Sequence, residues 1–191
     1  MKHVIGIDPS LSATAVIVLD ESGECVHKVT FKSDPASGVL GRVIRYVGVS
    51  AQLEDLLEKY EPEICCIEGY SMGSNMAGHS SIIEHGYEIR RRLALFSPDI
   101  SIYEIPPTTL KKHATGKGNA DKSAVVAKMA RLFPELEFKT NDETDAAALA
   151  MFALQIAGYA GPENDAQRGS LAAVIGPKEP KVKKKRKEAA F

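Results

Sequence analysis

The sequence predicts an α/β domain built on a mixed five-stranded sheet flanked by helices. Three observations carry this expectation. Short apolar runs rich in β-branched residues follow one another at positions 4–8, 13–19 and 24–31, and such residues fit a pleated surface. Helical periodicity then alternates with two further short apolar runs, at 63–68 and 100–105, and that alternation produces parallel strands. A last segment over 141–159 is rich in alanine and leucine, a helix whose small side chains permit close approach to a sheet.

Each element has its own grounds. Val4-Ile5-Gly6-Ile7-Asp8 reads as a buried strand ending in a carboxylate. Gly6 leaves one face of it bare, so another backbone or a ligand can approach. Pro9-Ser10-Leu11-Ser12 turns the chain into the second strand, and Asp20-Glu21-Ser22-Gly23 supplies hairpin chemistry before the third. After a loop, 39–60 reads as a helix with Val43, Tyr46, Val47, Ser50, Leu53, Leu56 and Leu57 near helical period. Glu61-Pro62 ends it. Glu63-Ile64-Cys65-Cys66-Ile67-Glu68 is a fourth strand that also ends in a carboxylate. The loop Gly69-Tyr70-Ser71-Met72-Gly73-Ser74-Asn75 leads into a helix over 79–96 that carries Arg90-Arg91-Arg92, and 100–105 is the fifth strand.

Pro106-Pro107 opens a short helix through His113. Thr115-Gly116-Lys117-Gly118-Asn119 is a flexible loop, and 121–132 a helix capped near Asn119 or Asp121. Asn141 or Asp142 is expected to cap the last helix. Residues 161–176 show little pattern and read as a loose lead into a basic end. The domain reading is therefore one folded unit at 1–160, with a flexible linker and basic tail at 161–191.

Length and composition bound the function. A chain of 191 residues that is 44% hydrophobic can bury one ordinary core. No run approaches the roughly 18 apolar residues of a membrane span, and Met1-Lys2-His3 leads straight into a strand, so neither a membrane partner nor a secretory signal is expected. Cys25, Cys65 and Cys66 lack zinc-site spacing and read as reduced thiols of a cytoplasmic protein. The formal charge of -1 conceals a segregation. Residues 178–191 hold seven basic and two acidic side chains, a net of +5, which leaves -6 for the rest. A basic arm on an acidic body suits a polyanionic partner; the competing reading is a solubilising end.

The acidic residues carry the chemistry. Asp8 and Glu68 end two strands that can be neighbours in such a sheet. Asp142 and Asp145 are three apart at the start of the last helix and share a face. A favourable interaction with the helix N-terminus accounts for one or two acidic residues there, but less well for Asp145, where the apolar stretch begins. Four converging carboxylates repel one another unless divalent cations lie between them, and oxygen-only ligands favour Mg2+ or Mn2+ over zinc. Two such ions suit phosphodiester hydrolysis.

Four segments now stand out together: Ile5-Gly6-Ile7-Asp8-Pro9-Ser10, Ile67-Glu68, Thr115-Gly116-Lys117-Gly118-Asn119-Ala120-Asp121-Lys122, and Asp142-Glu143-Thr144-Asp145-Ala146. The sequence resembles the RuvC-type Holliday-junction resolvases in these motifs, over residues 2–158. The glycine-lysine segment is the most specific part. The resemblance implies a ribonuclease H-like fold, a homodimer, and metal-dependent nicking of four-way or other branched DNA. It implies metal ligation and catalysis by Asp8, Glu68, Asp142 and Asp145, with Lys122 as the essential lysine and Lys111 or Lys112 as an upstream basic position. In place of the family's wedge phenylalanine stands Tyr70, with Met72 behind it. The basic end departs from the usual bacterial pattern and fits a phage or otherwise divergent member that accepts a wider range of branched DNA.

The basic residues divide by setting. Arg90-Arg91-Arg92 reads as a solvated helix face. Lys111, Lys112, Lys117 and Lys122 surround a glycine loop whose backbone lets them approach phosphates. Lys183, Lys184, Lys185, Arg186 and Lys187 resemble a nuclear-import peptide in composition, but a DNA-binding arm in the cytoplasm is the preferred reading. Alternative functions are a branched-DNA binding protein that cleaves weakly and a ribonuclease H-like enzyme acting on another nucleic acid. A sugar-kinase-like ATPase would need a second glycine-rich phosphate loop, which the sequence lacks.

Overall fold

A computed structural model describes residues 1–70, 79–96 and 99–176. In chain order its elements are β1 (His3–Asp8), β2 (Ala13–Asp20), β3 (Cys25–Lys32), α1 (Gly38–Tyr60), β4 (Ile64–Glu68), α2 (His79–Phe96), β5 (Ser101–Ile105), α3 (Pro107–Thr115), α4 (Lys122–Leu132), α5 (Asn141–Ile156) and α6 (Asp165–Ile175). The sheet runs β3-β2-β1-β4-β5. β1, β2 and β3 pair antiparallel as a meander, whereas β4 lies parallel to β1 and β5 parallel to β4. Ile7 pairs with Ile67, so Asp8 and Glu68 leave adjacent strands at the same end.

Strand alternation sends side chains to two cores. Val4, Ala15, Ile17, Leu19 and Cys66 face α3 to α6. Ile5, Ile7, Val16, Val18, Cys65 and Ile67 face α1 and α2, where Leu53, Leu57, Ile89 and Leu93 meet them. The two adjacent cysteines thus lie on opposite sides of one strand, both buried. α5 presses directly onto β1 at Gly6. A Cβ there would stand 2.2 Å from the Ala146 carbonyl oxygen and 2.3 Å from the Ala150 nitrogen. The bare strand face and the alanine-rich helix are therefore two halves of one contact, which brings the first turn of α5 beside the end of β1.

Four expectations are corrected. Residues 165–175 form α6, not a loose lead: Asn164 caps it by accepting from the Gln167 N–H, and Gln167, Ser170 and Leu171 are buried. A chain of amides ties it down, with His113 Nε2 2.9 Å from Gln155 Oε1 and Gln155 Nε2 donating to Gln167 Oε1 at 3.2 Å. The cap of α5 is Thr140, which accepts from Glu143 N; of the two candidates for α4, Asp121 is the cap. The loop after α3 is a defined turn, closed by Gly116 at φ 85° and by the Thr115 hydroxyl, which accepts from Lys117 N. Val43 and Val47 of α1 are exposed, and Tyr46, Val49, Ser50, Leu53, Leu56 and Leu57 form its buried face. Among the described residues no helix is long and apolar enough to cross a membrane.

Candidate active site

A cleft of about 470 Å³ opens at the shared end of β1 and β4. Asp8, Glu68, Asp142, Asp145, Lys111 and Lys122 line it, with Pro9, Ser10, Leu11 and Tyr70 at its walls. Each acidic side chain arrives from a rigid element. Asp8 is the last residue of β1 and Glu68 the last of β4. Asp142 and Asp145 come from the first turns of α5, which Gly6 allows to sit close. Their neighbour Glu143 turns the other way, accepting from Lys28 Nζ at 2.9 Å, Thr30 Oγ1 at 3.2 Å and Lys139 N at 2.8 Å. One helix start thus separates a structural glutamate from two cleft aspartates.

The electrostatics are those of crowded like charges. Burial pushes the Asp8 carboxyl well above the usual carboxylate range, and the charges of Glu68, Asp145 and Asp142 add to this. Glu68 is also raised, first by burial and then by Asp145, with Lys122 opposing. The contact between the two carboxyls adds to the rise at Asp8 and opposes it at Glu68. Asp145 is raised to about 6 by burial, against the pull of Lys122. The cluster is open: among the described residues no group of three or more histidine, cysteine, aspartate or glutamate side chains is drawn together closely enough to hold a metal ion as it stands.

Not every basic candidate reaches the cleft. Lys111 and Lys122 do. Lys112 is exposed on the α6 side, its ammonium beside Gly169, and Lys117 is exposed on the turn after α3. Tyr70 stands at the rim with both ends engaged: its hydroxyl donates to the Ile83 carbonyl at 3.1 Å, and Arg90 lies 4.5 Å from its ring centre. Met72 and the basic run Lys183, Lys184, Lys185, Arg186 and Lys187 lie outside the described residues. The arginine cluster is split: Arg91 stays on a solvated face, whereas Arg90 and Arg92 are largely covered. Arg90 pairs with Glu104, Arg91 with Glu88 and Arg92 with Glu54. Sequence reasoning missed His85 and read Arg90 as part of a solvated face; both back the cleft from α2, and no local spacing marks this, because their partners are distant in sequence.

A mixed sheet of this order, with acidic residues on the central strand β1, on its neighbour β4 and on the helix packed across them, defines the ribonuclease H-like class of proteins. The profile of the family described as crossover junction endodeoxyribonuclease RuvC matches residues 4–153. This chain belongs to that family. A RuvC from Bartonella henselae is 29% identical over 156 residues, covering 78% of this chain and 87% of the relative. The Thermus thermophilus RuvC structure superposes with a TM-score of 0.67 at 19% identity, covering 82% of this chain and 94% of that one. A structure of T. thermophilus RuvC in complex with a Holliday junction substrate gives a TM-score of 0.65 at 18% identity, covering 89% of this chain and 98% of that one.

Proposed function

We propose that the cleft formed by Asp8, Glu68, Asp142 and Asp145 hydrolyses phosphodiesters in four-way or related branched DNA with the help of divalent cations. The observation that carries this is the convergence of four carboxylates and two lysines on one cleft at the shared end of β1 and β4. The donor set fits the cations: it is all oxygen, as Mg2+ or Mn2+ prefers. Burial first, and then the charges of the neighbouring carboxylates, raise Asp8 and Glu68, so positive charge set between their oxygens would be favoured. When bound there, divalent ions, two by this reading, would activate a water and stabilise charge on the phosphate oxygens.

The chain's own groups do the rest. The rigid strand ends hold Asp8 and Glu68 in fixed orientation. Lys122, at the start of α4, directs an ammonium into the cleft where the phosphate would lie, and Lys111 adds a second positive charge. Lys112 and Lys117, both exposed, add phosphate contacts outside the cleft, and the basic segment 183–187 is assigned a DNA contact of its own. Such contacts position DNA without reading its sequence, so selectivity comes from the shape of the branched substrate.

The same reading includes a homodimer, because a four-way junction offers two equivalent strands and a two-fold pair offers two clefts. α1 and α2 run side by side, joined by Arg42–Glu84, Ser50–Glu88 and Glu54–Arg92. Together they expose Val39, Leu40, Val43, Ile44 and Val47 beside Ile82, Ile83 and Tyr87. An exposed apolar area of this kind marks an association surface. The deciding experiment is a panel of linear, flap, three-way and four-way DNA with Mg2+ or Mn2+. Preferential nicking of the branched substrates is expected. Binding without cleavage in both metals would leave a junction-binding protein instead.

A further inference from the structure

We propose that α2 braces both carboxylate-bearing strand ends, with Arg90 and His85 as positioning residues for Glu68 and Asp8. This rests on the reading of Asp8 and Glu68 as cation-holding residues.

Arg90 makes the first half of the brace. Its Nη2 donates to the backbone carbonyl of Glu68 at 2.9 Å. Nε donates to Glu104 Oε2 on β5 at 2.9 Å, and Nη2 also lies 2.8 Å from that oxygen. Nη1 donates to the Gly86 carbonyl at 3.0 Å and to Tyr70 Oη at 3.3 Å. A guanidinium has five N–H donors in a fixed plane; four make hydrogen bonds here, and the ion pair with Glu104 occupies the remaining side of the group. The group cannot swing toward a DNA phosphate without abandoning the end of β4. Of the three consecutive arginines, Arg91 and Arg92 pair with α2's own Glu88 and with α1; Arg90 is the one that reaches the sheet.

His85 makes the second half. It is 1% exposed, and its Nε2 lies 2.8 Å from Thr14 Oγ1. That hydroxyl donates to the Ser10 carbonyl at 3.1 Å. A hydroxyl has one proton to give, and with that proton on the Ser10 carbonyl the hydroxyl accepts from the Nε2–H tautomer of His85. The result is a directed chain from α2 through Thr14 to Ser10, two residues beyond Asp8, and it holds the turn by which β1 leaves the sheet. Nδ1 has no partner among the described residues, so the ring is held by this one polar contact and by Tyr46, 5.4 Å away. Gly86 sits between the two braces on the helix. A Cβ there would come 2.7 Å from Tyr70 Oη and 2.9 Å from Arg90 Nη1, so the room for the clamp depends on that glycine.

The test uses the full chain with Arg90→Gln, Arg90→Lys, Gly86→Ala, His85→Leu and His85→Gln. Three quantities are read: Mn2+ binding to the DNA-free protein by calorimetry, four-way junction affinity without divalent metal, and the single-turnover cleavage rate. Displacing a positioned group by about an ångström costs on the order of 100-fold in rate. R90Q and G86A should therefore weaken Mn2+ binding and slow cleavage about 10- to 100-fold, with junction affinity little changed. R90K should fall between R90Q and the wild type. H85Q, whose amide can still donate to Thr14, should restore most of what H85L loses. Unchanged Mn2+ binding and rate in R90Q would overturn the brace. So would a loss of junction affinity equal to the loss of rate, which would make Arg90 a DNA contact. If R90Q does not fold, G86A carries the same test with the guanidinium retained. A wild-type protein that binds Mn2+ but nicks no branched DNA refutes the substrate reading alone, since the metal titration still judges the brace; a wild type that binds no Mn2+ removes both.

Discussion

At the scale of single residues, Asp8 and Lys122 have opposite roles that separate experimentally. Asp8→Asn or Glu68→Gln removes a ligand that a cation needs and places no new charge opposite a phosphate. Cleavage should be abolished in Mg2+ while junction binding is kept or strengthened, as gel-shift and nicking assays on one four-way substrate will show. Asp8 also predicts a pH effect in metal-free protein. Its folded pKa is raised, so the stability gained from its proton is full below the ordinary carboxylate value and is lost as pH rises through the folded value. Asn cannot ionise. The difference in Tm between D8N and wild type in chelator should grow steadily from about pH 4 upward. A constant difference would mean that Asp8 is not perturbed by its surroundings. Lys122→Met removes a donor aimed at the reacting phosphate and should slow single-turnover cleavage by about two orders of magnitude, with much less effect on binding. Equal losses in both would make Lys122 an anchoring contact.

At the scale of elements, the contact between β1 and α5 decides whether the cleft exists. Gly6→Ala forces a methyl group to within 2.2 Å of the Ala146 carbonyl, a backbone atom that can yield only if the helix moves. Overpacking of this kind costs about 1–3 kcal/mol, to be read by urea unfolding. Asp142 and Asp145 ride on the same helix, so cleavage should fall even under conditions where the variant is fully folded. A G6A protein with wild-type stability would show that α5 does not lie against β1 in this register. α6 illustrates the opposite case. It has only Leu171 as a buried apolar residue, with Gln167 and Ser170 beside it, so its place is set by buried amide bonds more than by an apolar stripe.

At the scale of the whole molecule, the exposed apolar surface of α1 and α2 and the basic end at 177–191 make separate predictions. Val43→Glu combined with Ile83→Glu places charge in the centre of the apolar surface. Sedimentation should show a dimer for the wild type and a monomer for the double variant. A monomeric wild type that still nicks both strands in concert would contradict the two-fold arrangement. Deleting 177–191 should weaken binding to every DNA shape alike and flatten its salt dependence, since each neutralised phosphate contributes roughly 0.9 to the slope of log affinity against log salt on duplex DNA. A loss confined to four-way DNA would instead assign junction recognition to that segment.

The order of strands and helices could be read from the sequence because it rests on local periodicity and turn chemistry, from Val4-Ile5-Gly6-Ile7-Asp8 to the alanine-rich segment opening at Asn141. The four cleft carboxylates were legible for the same reason: each ends a strand or starts a helix, and those positions are visible in one dimension. Tertiary structure alone decided which polar residues face the cleft and which turn away from it. Glu143 stands between Asp142 and Asp145 in sequence yet turns to Lys28 and Thr30. Val43 and Val47 keep helical period yet face outward, because period alone does not say which of two adjacent stripes meets the sheet. His85 and Arg90 brace the cleft through Thr14 and Glu68, 71 and 22 residues away. Hydrogen bonds of such long sequence separation leave no periodic mark, and only the packing of α2 against the sheet brings their partners within reach.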